Sequence, residues 1–287
     1  MTSALDDLIT LLDLEPIEVN IFRGVSPNED RQRVFGGQVA GQALVAAGRT
    51  VADSGAPYRA VHSLHAYFLR PGDPTVPILY EVDRIRDGRS FTTRRVVAIQ
   101  HGRAIFNLSA SFQIPEEGVS HQSPMPEVPD PETLPTFRER LAPMAEELGE
   151  WYRRPQPIDI RHVEQHIRLS APAPRAPRQQ VWLRADGHLP NDPLLHACVV
   201  AYASDMTLLD TTMLPHGLVF DAGVMASLDH AMWFHRPFRA DEWLLYDQVS
   251  PVAEGARGLA TGAIYRQEGQ LAVSVVQEGL IRPGRVR

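Results

Sequence analysis

The chain has 287 residues, of which 44% are hydrophobic and 22% charged, and a formal net charge of −7. That length and composition suit a globular protein of one large or two ordinary domains. The acidic balance excludes nucleic acid or an anionic membrane as the main partner, although a local basic pocket for a phosphorylated ligand stays open. The single cysteine, Cys198, excludes an internal disulfide and any zinc site built on several cysteines, and it suits a reducing, cytoplasmic setting.

The first stretch, MTSALDDLITLLDLEP, has no basic n-region and so is not a secretory signal. Asp6, Asp7 and Asp13 interrupt its apolar residues, which predicts a short amphipathic helix ended by Pro16. No apolar run approaches a membrane span, so stable membrane insertion is not expected. Ile17 to Gly24 reads as a strand. In FGGQVAGQALVAAGRTV, Ala40, Leu44, Ala47 and Val51 share one helical face, and small residues including Gly37 and Gly41 invite close approach of a sheet. Four β-rich runs follow, Ala60 to Leu69, Pro77 to Arg86, Ser90 to His101 and Arg103 to Ile114, with hairpin breaks at Asp87-Gly88 and His101-Gly102.

Pro115 to Pro135 is rich in proline and acids and reads as an extended linker, with a short helix from Phe137 to Trp151. Beyond Pro157 the pattern restarts. Ile158 to Leu169 reads as a strand and Pro193 to Met206 as a buried helix. Strands are then expected at Ser227 to His235, Glu242 to Val249, Gly258 to Arg266 and Gln270 to Ile281. Landmarks repeat at a nearly constant offset. Arg70-Pro71 and Arg236-Pro237 lie 166 residues apart, as do Tyr80 and Tyr246, while Gly88 and Gly255, and Gly102 and Gly269, lie 167 apart. Such an offset signals two copies of one unit, each a strand, a long helix and several antiparallel strands, with the helices buried and the sheet shared.

The familiar catalytic signatures are missing: there is no G-x-S-x-G, no P-loop, no G-x-G-x-x-G and no H-E-x-x-H. His162, Glu164 and His166 share a strand face and raise a metal site against the alternative of a solvated face. The pairs Arg84/Arg86 and Arg94-Arg95 read as a solvated edge or as contacts to a ligand phosphate. Three residues break apolar patterns. Asp205 ends the face of Leu194, Cys198 and Ala201. Gln277 shares a strand face with Val273, Val275 and Ile281. Ser227 opens a strand on the face of Ala231 and Trp233. Each alone is as well explained by a satisfied polar core residue. The repeat supplies an internal control: Ser227 corresponds to Val61 and Gln277 to Ala110, and Gly36 to Ala52 contains no acid. The polar set therefore belongs to the second copy only, which favours a single functional site.

FGGQVAGQAL, HSLHAYFLRPGDP, RDGRSFTTRRVVAIQHGRAIFNLSASFQ, YASD, SLDHAMWFHRPF and VQEGLIR together resemble the type II (TesB-like) acyl-CoA thioesterases, from about Phe35 to Arg282. The resemblance implies an α+β double hotdog, two tandem antiparallel sheets each wrapped around a long central helix. It divides the chain into an N-terminal repeat over 1–115, a linker over 116–156 and a C-terminal catalytic repeat over 157–287. It also implies hydrolysis of medium- to long-chain fatty acyl-CoA by direct water attack, no cofactor or metal, a cytoplasmic setting and a homo-oligomer (dimer or tetramer). YASD places the family's aspartate at Asp205, the position before LDHAMWFHRP its hydroxyl at Ser227, where many members have threonine, and VQEG its glutamine at Gln277. In this reading Asp205 is the general base, Ser227 and Gln277 fix the water, and Gln277 also donates toward the oxyanion. His65 is the reserve base. The alternatives are an acyl-thioester hydratase or dehydratase, which wants an Asp-His or Glu-His pair, and a silent acyl-CoA-binding module.

Overall fold

The structure is a computed structural model that describes residues 3–27, 32–52, 58–164, 173–217 and 223–283. Helix α1 (Ala4–Leu12) starts at a capping box between Ser3 and Asp6, whose reciprocal bonds satisfy two otherwise orphaned amides, and buries Leu5, Leu8 and Leu12. The expected strand at 17–24 is instead a tight hairpin, β1 (Glu15–Glu18) and β2 (Ile21–Gly24), turned at Asn20 with φ 63°. Then come α2 (Gly36–Ala52) and β3 to β6 (Ala60–Phe68, Ile78–Asp87, Phe91–Gln100, Arg103–Gln113).

The second half begins after α3 (Phe137–Leu141) and α4 (Ala145–Arg153), two short helices where one was expected; Gly149, at φ 55°, breaks the second of them. It comprises β7 (Ile158–His162), β8 (Arg178–Ala185), α5 (Pro193–Ser204) and β9 to β13 (Gly223–Ser227, Asp229–Phe234, Leu244–Glu254, Arg257–Arg266, Leu271–Pro283). Strand β8 has no counterpart in the sequence reading. The part of the expected strand beyond Glu164, including His166, lies outside the described residues.

Among the described residues all strands join one antiparallel sheet in the order β1-β2-β4-β5-β6-β3-β10-β13-β12-β11-β8-β7, with β9 also paired to β13. The order is mirrored about β3 and β10, which pair with Leu64 opposite Met232, so each half contributes six strands along this path. The sheet curls around α2 and α5, which run antiparallel. A Cβ on Gly37 would lie 2.4 Å from the Tyr202 carbonyl oxygen, and one on Gly41 3.2 Å from that of Cys198. The small residues of α2 thus admit the second helix rather than the sheet, because helices approach closely only where side chains are short.

The proline-rich stretch is a strap laid on the outer face of the second half's sheet. Met125, Val128 and Leu134 cover Trp182, Trp243, Tyr265 and Leu271. The Trp182 indole donates to the Pro129 carbonyl at 3.0 Å and that of Trp243 to Glu132 at 2.9 Å. Arg184 sits 4.1 Å above the Trp243 ring. Among the described residues no helix is long and apolar enough to cross a membrane.

Candidate active site

Asp205 is the C-cap of α5. Asp192 caps the other end, where Pro193 occupies the first turn. Antiparallel packing carries the Asp205 carboxylate to the N-terminus of α2. A Cβ on Gly36 would fall 2.7 Å from Asp205 Oδ2 and 2.9 Å from the Phe68 ring, and the Gly37 amide donates to the carboxylate. The positive end of the α2 dipole therefore faces the negative group.

Gln277 and Ser227 approach from the sheet. Gln277 lies on the inward face of β13 with Val273, Val275 and Ile281, and its side chain is fully buried. Ser227 ends β9 rather than opening the following strand. The pairing shifts by one residue between Ser227 opposite Gly279 and Ala231 opposite Val276, a β-bulge at Leu228. The shift inverts the alternation. Ser227 shares its face with the buried His230 and Met232, not with Ala231 and Trp233 as expected. The same one-residue shift occurs between Val61 and Ser63 in β3.

The three side chains meet. Gln277 Nε2 donates to Asp205 Oδ1 at 2.6 Å and to Ser227 Oγ at 3.0 Å, and Ser227 Oγ donates to Asp205 Oδ1 at 3.3 Å. Both N–H bonds of the Gln277 amide are thus engaged. Its Oε1 is buried with no hydrogen-bond partner among the described residues, leaving an open acceptor in the site. Burial pushes the Asp205 carboxyl up to about 6, against the opposing pull of hydrogen bonds from Gln277, Gly37 and Ser227. A small crevice open to solvent lies at the start of α2, walled by Leu11, Val34, Phe35, Pro74 and Tyr202, with Ser26, Arg33 and Gln38 as polar members.

The other candidates lie elsewhere. His65, the reserve base, is not brought to these three residues. Leu64 and Ala66 point to the core, so His65 must project from the opposite, outer face, where it is exposed and meets Trp233 edge-on at 5.2 Å. His230 does face the core. Its Nε2 bonds Ser204 Oγ at 2.9 Å, and burial lowers its pKa to about 4, so it is a neutral core histidine. His62 bonds Ser111 at 2.8 Å. His162 is buried on β7, and Glu164 accepts from the Gln180 amide at 3.1 Å. Among the described residues no group of three His, Cys, Asp or Glu could hold a metal.

Arg94 is neither solvated nor free for a phosphate. It is fully buried, with Nε donating to Thr50 Oγ1 at 2.9 Å and Nη2 to Asp87 at 2.6 Å, which ties the last turn of α2 to the end of β4. Arg84 and Arg95 are surface residues bonded to Asn20 and Asp83. Sequence reasoning missed the contribution of α2. Two consecutive glycines opening a helix, Gly36-Gly37, were the available signal.

Residues 161–280 match the family model described as acyl-CoA thioesterase, and residues 26–113 match that of the acyl-CoA thioesterase N-terminal domain. The chain is 44% identical to human acyl-coenzyme A thioesterase 8, over 95% of this chain and 88% of that protein. It is 40% identical to acyl-CoA thioesterase 2 of Haemophilus influenzae, over 98% and 99%. The crystal structure of acyl-CoA thioesterase II TesB2 from Mycobacterium marinum superposes with a TM-score of 0.80 at 47% identity, covering 98% and 99% of the two chains. A protein from Alicyclobacillus acidocaldarius described as having a hot dog fold shares the architecture at TM-score 0.77 and 20% identity. One family is thus matched on both sides of the strap, and its members align along nearly the whole chain: this double-hotdog protein belongs to the acyl-CoA thioesterase family.

Proposed function

We propose that this chain hydrolyses acyl-CoA to a free carboxylic acid and coenzyme A by direct attack of water, with Asp205, Ser227 and Gln277 as its catalytic residues. The observation that carries the reading is the convergence of those three side chains, from three separate elements, on one buried carboxylate. A carboxyl near 6 is ionised at neutral pH and basic enough to take a proton from water as attack begins. The open Gln277 acceptor and the Ser227 hydroxyl give that water two further contacts.

Attack forms an O–C bond and drives the carbonyl π pair onto oxygen. Collapse of the tetrahedral species breaks the C–S bond, the thiolate leaves, and the proton on Asp205 passes to it or to solvent. Because both Gln277 N–H bonds are already used, its donation to the oxyanion requires the Ser227 contact to be given up as charge builds. No covalent acyl-enzyme, metal or cofactor enters this scheme.

Medium- to long-chain fatty acyl groups are the substrates we propose, and the apolar side chains of Val34, Phe35 and Tyr202 at the start of α2 are in keeping with an acyl group. The mirrored strand orders support a division into a repeat over 1–115, a strap region over 116–156 and a catalytic repeat over 157–287. Self-association as a dimer or tetramer is supported by the outer face of the first half, where Tyr67 and Leu79 are 58% and 42% exposed and the strap does not reach. The lone buried cysteine is in keeping with a cytoplasmic protein.

The test is thiol release from a ladder of acyl-CoA esters by the wild type and by Asp205→Asn, Ser227→Ala and Gln277→Ala. Release by the wild type, greatest on medium and long chains, with sharply lower but measurable release in all three variants is expected. Full turnover in Asp205→Asn would overturn the assignment of the base.

A further inference from the structure

The two copies differ in their buried polar groups beyond the three residues above, and those differences surround Asp205. In the first copy, Val82 on β4 and Leu64 on β3 are apolar core residues. At the 166-residue offset their places are taken by Gln248 on β11 and His230 on β10, both buried. Burying an amide or an imidazole where the fold accepts valine or leucine adds a desolvation cost that the architecture does not demand.

Both groups, moreover, bond side chains that flank Asp205 in the chain, Ser204 just before it and Thr207 two residues after it. On one side His230 bonds Ser204 Oγ at 2.9 Å, while the Tyr246 hydroxyl donates to the Ser204 carbonyl at 3.3 Å. On the other side Gln248 Nε2 donates to Thr207 Oγ1 at 2.6 Å. Gln179 Nε2 donates to the Thr207 carbonyl at 2.7 Å and to Gln248 Oε1 at 2.7 Å, and Thr211 Oγ1 donates to that same Oε1 at 3.2 Å. Every polar atom of the Gln248 amide head has a partner, and the network grips the chain at Thr207, in the turn between the end of α5 and the short 3-10 helix over Leu208–Thr212.

We propose that Gln248, acting through Thr207 and braced by Gln179, is a positioning residue for Asp205. Its task is to fix the turn that carries the carboxylate against Gln277, Ser227 and the α2 N-terminus. Angstrom-scale misplacement of a base costs turnover far more than it costs substrate binding. The proposal rests on the thioesterase reading with Asp205 as base.

The experiment compares Gln248→Val, which restores the residue of the first copy, with Thr207→Val and Thr207→Ser in the full-length protein. Wild type and Asp205→Asn are run beside them. For each, kcat, KM, the pH profile of kcat/KM and the thermal midpoint are measured on one acyl-CoA ester. Positioning predicts a kcat at least 10-fold lower in Gln248→Val and Thr207→Val, KM within about 2-fold and a displaced acid limb. It also predicts recovery in Thr207→Ser, which keeps the hydroxyl. Unchanged kcat per folded molecule in Gln248→Val, with only a shifted thermal midpoint, would overturn the proposal and make the network structural. If Gln248→Val does not fold, Thr207→Val against Thr207→Ser decides by the same criteria. Undiminished turnover in Asp205→Asn would instead overturn the underlying reading, so the two failures are distinguishable.

Discussion

Asp205 is held in two opposed ways, and the opposition sets its pH behaviour. Burial disfavours its charge, while Gln277, Gly37 and Ser227 stabilise it, and the result is a carboxyl at about 6 instead of 3.8. The general base proposed for it works ionised, so on that proposal kcat/KM is expected to rise with pH through an acid limb near 6 and level off above it, read from initial rates between pH 4.5 and 8.5. Gln277 is the strongest of the three hydrogen-bond supports, at 2.6 Å against 3.3 Å for Ser227. Gln277→Ala should therefore move the acid limb upward more than Ser227→Ala does, and smaller or equal movement would count against this ranking. The same carboxyl bears on stability. Its folded-state pKa is raised, so the group's stabilising contribution is complete below about 3.8 and is lost as pH rises through 6. The interval corresponds to roughly 3 kcal/mol for this buried group. Asp205→Asn, which keeps an acceptor for Gln277, is expected to lower kcat by about 10²-fold or more. It should also raise Tm by several °C at pH 8, with the gain shrinking at pH 5. A Tm difference independent of pH would contradict that linkage.

At the scale of elements, the site depends on two helices meeting end to start. Gly37 and Gly48 of α2 both face α5, but they meet different things. A Cβ on Gly37 runs into the Tyr202 carbonyl at 2.4 Å and the Phe35 ring at 2.6 Å, and one on Gly48 meets only the branched end of Leu194, the nearest atom at 2.4 Å. A backbone carbonyl cannot yield without moving α5, whereas a half-buried leucine can turn. Gly37→Ala is expected to destabilise by about 1–3 kcal/mol through overpacking and to depress kcat, because the helix end carrying Asp205 is displaced. Gly48→Ala should stay within about 1 kcal/mol of wild type, since alanine's higher helix propensity offsets the adjustment of Leu194. Denaturant midpoints and kcat for the pair decide it, and equal effects would remove the special place given to Gly37.

The same elements show what was legible in the sequence. The helices and most strands carry their periodicity openly, and the offset is physical enough that even the bulge at Leu228 recurs at His62, 166 residues earlier. The bulge itself has no residue signature, so Ser227 was assigned to the wrong face while its identity was read from the motif. Strand β8 escaped because the strap buries its outer face. Gln179 to Leu183 are buried without alternation, so the period-two signal is lost. The strap looked like a linker for the related reason that proline blocks regular pairing, yet its carbonyls and apolar side chains still bond and cover.

Over the whole molecule, the three polar side chains belong to the second half while the ground on which they stand belongs to both. The Gly37 amide and the Phe68 ring come from the first half, and β10 is an internal strand only because β3 pairs with it on one side. Removing residues 1–115 takes away α2, the partner that fills the space beside α5. It also exposes the buried faces of Cys198 and Ala201 together with the free edge of β10. A fragment of residues 116–287 keeps Asp205, Ser227, Gln277 and the strap. It is nevertheless expected to release no thiol from acyl-CoA and to associate or lack a cooperative thermal transition. Adding the separately produced 1–115 fragment should recover both the transition and measurable turnover, because the β3–β10 ladder and the helix contact are complementary surfaces. Calorimetry and thiol release on the fragment, its complement and the mixture test this. Turnover by 116–287 alone at the rate of the full chain would mean that the second half is a self-sufficient catalyst, and that the N-terminus of α2 lies beside the carboxylate without acting on it.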